Sequence, residues 1–269
     1  MNPFHEKYIA AIHASIAASE AIMDIYQNDF EEIIKADGSP LTQADLASSD
    51  IIGQHLSPFQ IPITGEETEK MSFEERAQWT ECWCVDPLDG TKEFIKKNGE
   101  FAVNIALLKD GKAHFGLIAS PVRREILIGS EETGVYIFSF DNAHDFSTWK
   151  KLSIPEKHNI PIVMIASRSH HSGSMLEIIE SLKSISSGIE FTQMGSSLKF
   201  FDLALGTADI YPRFAPTMEW DIAAGQAILE ALGGSVVHAE TGEALRYNKE
   251  DLLNPFFVAR TAALMSSDK

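Results

Sequence analysis

The sequence predicts a mixed α/β fold in which helices are layered on sheets. Three observations carry that expectation. The chain opens with a long segment of helical periodicity, its middle holds β-prone runs joined by tight turns, and its remainder alternates strand-like with helix-like segments.

Taken in order, Ile9, Ile12, Ile16, Met23, Tyr26, Phe30 and Ile33 recur at near-helical spacing, which predicts an amphipathic helix over residues 4–34. Residues 35–40 form a polar break. Thr42 then stands as the N-cap of a second helix that runs to about residue 56, where Ser57-Pro58 stops it. Residues 61–64 read as a short strand ending at Gly65-Glu66-Glu67, and residues 79–85 as a strand running into Asp86-Pro87-Leu88-Asp89-Gly90-Thr91. Asp110-Gly111 between the apolar runs 101–108 and 113–119 is a hairpin signal, and 126–128 and 135–138 extend an antiparallel sheet. The polar stretch 141–161 is the expected boundary between an N-terminal half, residues 1–150, and a C-terminal half, residues 151–269. Beyond it lie a strand at 162–166, helices at 173–182 and 196–205, a strand at 208–211, a helix at 219–232 closed by Gly233-Gly234, and a last strand at 256–259.

Composition narrows the function. The formal net charge is −17 and no lysine- or arginine-rich run exists, which disfavours a nucleic-acid polymer, because neutralising many phosphates requires a basic stripe. No run approaches the ~20 consecutive apolar residues that span a bilayer. Residues 1–7 lack the basic start and apolar core of a secretory signal. Cys82 and Cys84, two apart, share one face of a strand but lie too far apart for easy bridging, which fits a reducing cytoplasm. Oligomeric state stays open.

The carboxylates carry the chemistry. Magnesium takes oxygen ligands, usually a few carboxylates completed by water and substrate phosphate, so a chain that uses it must gather acids from separate segments. Asp86 and Asp89 sit at a strand end, with Pro87 stiffening the turn between them and the Leu88 carbonyl available beside them. Gly90 permits close backbone approach, and Thr91-Lys92 open a helix whose free N–H groups suit a phosphate oxygen. Alone, each segment has a plainer reading. Asp-Pro-x-Asp-Gly is good turn chemistry, Glu66 and Glu67 are solvated charges, and Asp221 is a first-turn acid that favours the helix dipole. Asp45, three residues after Thr42, fits a capping box. Their conjunction favours a magnesium-dependent phosphomonoesterase built on Glu66, Asp86, Asp89 and Asp221.

Gly65-Glu66-Glu67, Trp83-Cys84-Val85-Asp86-Pro87-Leu88-Asp89-Gly90-Thr91 and Trp220-Asp221-Ile222-Ala223-Ala224-Gly225 resemble the metal signatures of the inositol monophosphatase superfamily. Within it, Asp89-Gly90-Thr91-Lys92-Glu93-Phe94, Gly195-Ser196-Ser197-Leu198-Lys199-Phe200 and Tyr211-Pro212-Arg213-Phe214 resemble the bacterial 3′(2′),5′-bisphosphate nucleotidases. The resemblance implies a layered αβαβα sandwich and a phosphorylated nucleotide as substrate, adenosine 3′,5′-bisphosphate being cleaved to AMP and phosphate. It implies two or three Mg2+ ions, one on Glu66, Asp86 and the Leu88 carbonyl and a second on Asp86, Asp89 and Asp221. Thr91 with Asp45 would orient the attacking water, and the amides of Gly90 and Thr91 would hold phosphate oxygens. Ser196, Lys199 and Arg213 would face the nucleotide, and a mobile loop over residues 35–40 would lie near the site. His170 and His171 either face the base or second phosphate or are plain surface, and Trp79, Trp83 and Trp149 are assigned to packing. Inositol monophosphate and fructose 1,6-bisphosphate stand as alternative substrates. A catalytically idle metal-binding protein is a further alternative, whose expected mark, loss of Asp45, Thr91 or a ligand, is missing here.

Overall fold

The computed structural model describes residues 4–30, 32–35, 40–154, 156–166 and 173–267. The pair His170-His171 and residues 36–39 of the expected loop lie outside them. In chain order the elements are α1 (Glu6–Tyr26), β1 (Glu32–Ile34), β2 (Pro40–Thr42), α2 (Gln43–Leu56), β3 (Ile63–Gly65), α3 (Phe73–Arg76), β4 (Glu81–Asp89) and α4 (Thr91–Ile95). There follow β5 (Ala102–Lys109), β6 (Lys112–Ser120), β7 (Glu125–Ser130), β8 (Gly134–Ser139) and β9 (Lys150–Lys151). The rest are β10 (Ile162–Ile165), α5 (Gly173–Leu182), β11 (Ile189–Thr192), α6 (Lys199–Leu205), β12 (Ile210–Arg213), α7 (Glu219–Ala231), β13 (Ser235–His238), β14 (Phe257–Arg260) and α8 (Ala262–Ser267).

Five layers result. One sheet runs β3-β4-β5-β6-β7-β8-β9, antiparallel throughout except that β3 lies parallel to β4. The other runs β11-β10-β12-β14-β13. Helices α1 and α2 cover the outer face of the first sheet, where Tyr8 stacks on Phe115 at 4.0 Å and Trp83 and Trp149 are buried. Helices α6 and α7 fill the space between the sheets, and their cluster takes side chains from both. Helix α5 and α8 close the far side of the second sheet. Helix α1 has the length and mean hydropathy, 1.2, of a membrane-crossing helix, and its buried face packs on the first sheet.

The middle layer fits tightly because two glycines omit a side chain. A Cβ on Gly116 of β6 would fall 2.0 Å from the Ala224 carbonyl oxygen, and one on Gly225 would fall 2.2 Å from the Phe200 ring. Helix α7 therefore lies directly on β6 and α6, and its first turn is brought to the end of β4.

The first helix stops earlier than periodicity predicts. Its hydrogen bonding ends at Tyr26–Gln27, the Asn28 side chain donates to the Asp24 carbonyl at 2.7 Å, and Phe30 turns back onto Phe94 at 4.8 Å. Ile33, whose spacing continues the helical pattern, and Ile34, the expected helix end, are exposed on β1, which pairs with β2. The helix expected over 196–205 opens as a 3-10 turn at Ser196–Leu198, where Ser196 has φ at +47°, and becomes α-helical at Lys199.

Candidate active site

The end of β4 is where strand geometry becomes site geometry. Asp86 pairs with Asn104 and Asp89 with Ala102, so β4 carries one residue more than β5 over this stretch. In a regular strand residues three apart face opposite sides, and an extra residue re-aims the second side chain onto the side of the first. Pro87, which has no N–H to place in a ladder, fits at that bulge. The result is that oxygens of Asp86, Asp89 and Asp221 lie within 4.8 Å of one another.

Each of these acids is held by one oxygen. Asp86 Oδ1 accepts from the Leu88 N–H at 3.0 Å, Asp89 Oδ2 from the Ser197 N–H at 2.5 Å, and Asp221 Oδ2 from the Met218 N–H at 2.8 Å. Asp45 follows the same pattern, with Oδ2 accepting from the Thr42 N–H at 2.7 Å. Among the described residues, the second oxygens of Asp86 and Asp221 accept no hydrogen bond, whereas that of Asp45 does. At Asp45 that oxygen accepts the Thr91 hydroxyl at 3.1 Å, and the same hydroxyl lies 3.3 Å from the Leu88 carbonyl.

Electrostatics make this cluster costly for a chain by itself. Burial, reinforced by the charges of Glu66, Asp89 and Asp221, pushes the Asp86 carboxyl far above the ordinary carboxylate range. Burial first, then Asp89, raises Asp221 to about 8. Burial raises Asp89 and Asp45 as well, against the hydrogen bonds that favour their ionised forms. Crowded oxygen donors that repel one another and are shut away from water form a donor set that suits a hard divalent cation.

Glu66 stands apart from the three-carboxylate cluster. It lines the same cavity of about 200 Å³ as Asp86, Leu88, Asp89, Thr91 and Asp221, but its carboxylate is paired with Lys35 at 2.8 Å, and Lys35 also binds Glu67. Burial disfavours the Lys35 charge, and the two glutamates outweigh burial and raise its pKa.

That small cavity adjoins a larger cleft of about 970 Å³, with Asp89, Gly90 and Asp221 in the wall of both. The cleft is lined by polar residues that include Ser196, Lys199 and Arg213 and by apolar residues that include Ile165, Met175 and Phe214. Lys199 Nζ donates to the Ser196 carbonyl at 2.8 Å and sits 5.4 Å from the centre of the Tyr211 ring. Its pKa is lowered by burial, against the pull of Asp89. Arg213 donates to the Pro216 carbonyl at 3.4 Å, and its Nε is buried without a hydrogen-bond partner among the described residues. Gly90 has φ at +94°, a left-handed conformation that also lets Glu100 and Ser196 approach.

Three contributors escape a reading of motifs. Lys35 occupies the edge of the polar break, Glu100 accepts from the Gly195 N–H at 2.8 Å, and Asn104 sits behind Asp89. The available signal for Asn104 was a lone amide inside the apolar run 101–108.

Comparison with known proteins finds relatives over nearly the whole chain. The inositol monophosphatase family profile matches residues 5–267. The 3′(2′),5′-bisphosphate nucleotidase CysQ of Salmonella typhimurium is 38% identical over 250 residues, covering 89% of this chain and 94% of that protein. The protein of the same name from Buchnera aphidicola is 41% identical over 239 residues, covering 86% and 84%. Among solved structures, CysQ from Bacteroides thetaiotaomicron superposes with a TM-score of 0.83 at 40% identity, covering 97% of this chain and 99% of that one. The inositol monophosphatase of Thermotoga maritima shares the fold, with a TM-score of 0.70 at 18% identity over 96% and 92% of the two chains.

Proposed function

The chain belongs to the inositol monophosphatase family, and from that premise we propose that it is a magnesium-dependent 3′(2′),5′-bisphosphate nucleotidase that removes the 3′-phosphate of adenosine 3′,5′-bisphosphate. The observation that carries this reading is the junction of the two cavities. Asp89 and Asp221 belong both to the acid cluster and to a cleft that offers Lys199, Arg213 and apolar residues. A nucleotide with two phosphates has one for the cluster, one for the cations and a base for the apolar residues. The Salmonella typhimurium and Buchnera aphidicola relatives carry the name 3′(2′),5′-bisphosphate nucleotidase.

Glu66, Asp86, the Leu88 carbonyl, Asp89 and Asp221 are the residues we assign to Mg2+, with Glu66 turning from Lys35 to do so. Bound cations would supply positive charge against the phosphate oxygens and make water more acidic. The protein's own part lies in proton handling and orientation. The Thr91 hydroxyl directs its hydrogen at Asp45 Oδ1, so its lone pairs can accept a proton from an attacking water. Asp45 is a stronger base than an ordinary aspartate because burial disfavours its charge. Gly90 and Thr91 line the smaller cavity, and we assign their amides to phosphate oxygens. We assign the N-terminal half, residues 1–150, most of the cation ligands, and residues 151–269 the last acid and the nucleotide contacts.

In a chain of net charge −17 the general field repels an anionic nucleotide, so attraction must come from the cations and a few local positive side chains. Initial rates of phosphate release test the assignment across adenosine 3′,5′-bisphosphate, 3′-phosphoadenosine 5′-phosphosulfate, inositol 1-phosphate and fructose 1,6-bisphosphate. The expected result is the highest kcat/KM for a 3′-phosphorylated nucleotide, with loss of rate in EDTA. A higher value for either sugar phosphate would replace the nucleotide reading.

A further inference from the structure

Asn104 is fully buried on β5, in register with Asp86 of β4. Its Nδ2 lies 3.4 Å from Asp89 Oδ2 and 3.5 Å from the Trp220 carbonyl oxygen, while its Oδ1 lies 2.6 Å from Ser197 Oγ. The chemistry of these neighbours fixes which way the amide points. A backbone carbonyl cannot donate, and Asp89 Oδ2 already accepts from the Ser197 N–H, so only the NH2 group can face those two oxygens. The amide oxygen is thereby left to accept the Ser197 hydroxyl proton. Asp89, Asn104 and Ser197 close a ring of three hydrogen bonds that links β4, β5 and the turn before α6.

That turn is held in place with more bonds than its size needs. The Gly195 N–H donates to Glu100 at 2.8 Å, and Ser196 keeps a left-handed φ of +47° that a residue with a side chain holds only when its surroundings impose it. The Ser196 carbonyl in turn receives Lys199 Nζ. One continuous path therefore runs from Asp89 in the acid cluster, through Asn104 and Ser197, to the ammonium group in the larger cleft.

We propose that Asn104 is a positioning residue that orients the Asp89 carboxylate for a divalent cation and locks the Lys199-bearing turn to it, so that cation and nucleotide are gripped through one side-chain junction. This rests on the reading of the acid cluster as the cation site. Groups that orient metal ligands alter affinity by about 10- to 100-fold when removed.

The test is Mn2+ titration of the substrate-free protein followed by electron paramagnetic resonance, with KM and kcat for adenosine 3′,5′-bisphosphate and a thermal melt alongside. Asn104→Leu keeps the side-chain volume and removes every polar contact. It is expected to weaken Mn2+ binding about 10- to 100-fold and to raise KM. Ser197→Ala removes only the hydroxyl that holds the amide and is expected to shift both quantities the same way, by about 3- to 10-fold. A residue that merely fills the core would lower the melting temperature and leave Mn2+ affinity and KM unchanged, and that result overturns the proposal. Should Asn104→Leu fail to fold, unchanged Mn2+ affinity in Ser197→Ala overturns it equally. Wild-type protein that binds no Mn2+ would overturn the cation reading itself, and this inference with it.

Discussion

Thr91 Oγ1 donates to Asp45 Oδ1 at 3.1 Å while the other oxygen of the same carboxylate accepts from the Thr42 N–H at 2.7 Å. One aspartate thus caps helix α2 and accepts the Thr91 hydroxyl together. The two roles are separable by Asp45→Asn, whose amide oxygen can keep the cap while its NH2 faces Thr91. Glutamate is a poorer choice, because a side chain 1% exposed has no room for another methylene. The expected outcome is a melting temperature near wild type with kcat lowered about 10²–10⁴-fold, the usual scale of acid–base assistance. Wild-type kcat in the variant would reduce Asp45 to a cap.

Proton linkage should report on the cluster without any turnover. Burial, and then the Asp89 charge, raises the Asp221 carboxyl to about 8 in the folded chain from an ordinary 3.8. Between those limits the cation-free folded state binds more protons than the unfolded state, so its stability is greatest at the acid end and falls as pH rises. A divalent cation held by the acid cluster, as proposed above, would replace the protons and restore stability. The gain in melting temperature on adding Mg2+ should therefore be small at about pH 5 and larger at about pH 8. A gain independent of pH, measured by calorimetry across that range, would place the cation elsewhere.

Much of this site was legible in the chain because its acids lie beside residues with strong local rules. Thr42 announces a cap and Gly233-Gly234 a helix end, whereas Asp86-Pro87-Leu88-Asp89, which reads as a turn, is the bulged end of β4. What stayed hidden depends on contacts distant in sequence. Ile33 continues a helical pattern, yet it and Ile34 sit on a two-stranded ribbon beyond the point where Asn28 ends the helix. Asn104 reads as an interruption in a β-strand until Asp89, Ser197 and Trp220 surround it. The bulge that turns Asp86 and Asp89 to one side follows from the register with β5, which no local pattern specifies.

Lys199 gives a substrate-dependent test. Its ammonium group lies in the larger cleft rather than in the cavity of Asp86 and Thr91. Lys199→Ala should lower kcat/KM for adenosine 3′,5′-bisphosphate about 10- to 150-fold, the loss of one charged hydrogen bond, and leave a small monophosphate such as glycerol 2-phosphate nearly unaffected. Equal losses for both substrates would assign Lys199 to the acid cluster instead.

Packing and chemistry meet at Gly225. A methyl group there would lie 2.2 Å from the Phe200 ring, so Gly225→Ala must push α7 away from α6. The expected cost is about 1–3 kcal/mol in denaturant unfolding, and kcat should fall because Asp221 in the first turn of α7 moves with the helix. Wild-type stability and rate together would show that the middle layer is looser than its contacts indicate.

The identity of the product tests the central claim most directly. Adenosine 3′,5′-bisphosphate incubated with the protein and Mg2+ can be followed by phosphorus NMR, in which the 3′- and 5′-phosphate resonances are distinct. The account predicts loss of the 3′ resonance, one equivalent of inorganic phosphate and AMP that keeps its 5′-phosphate, with no reaction in EDTA. Release of the 5′-phosphate, or turnover unaffected by EDTA, would contradict it.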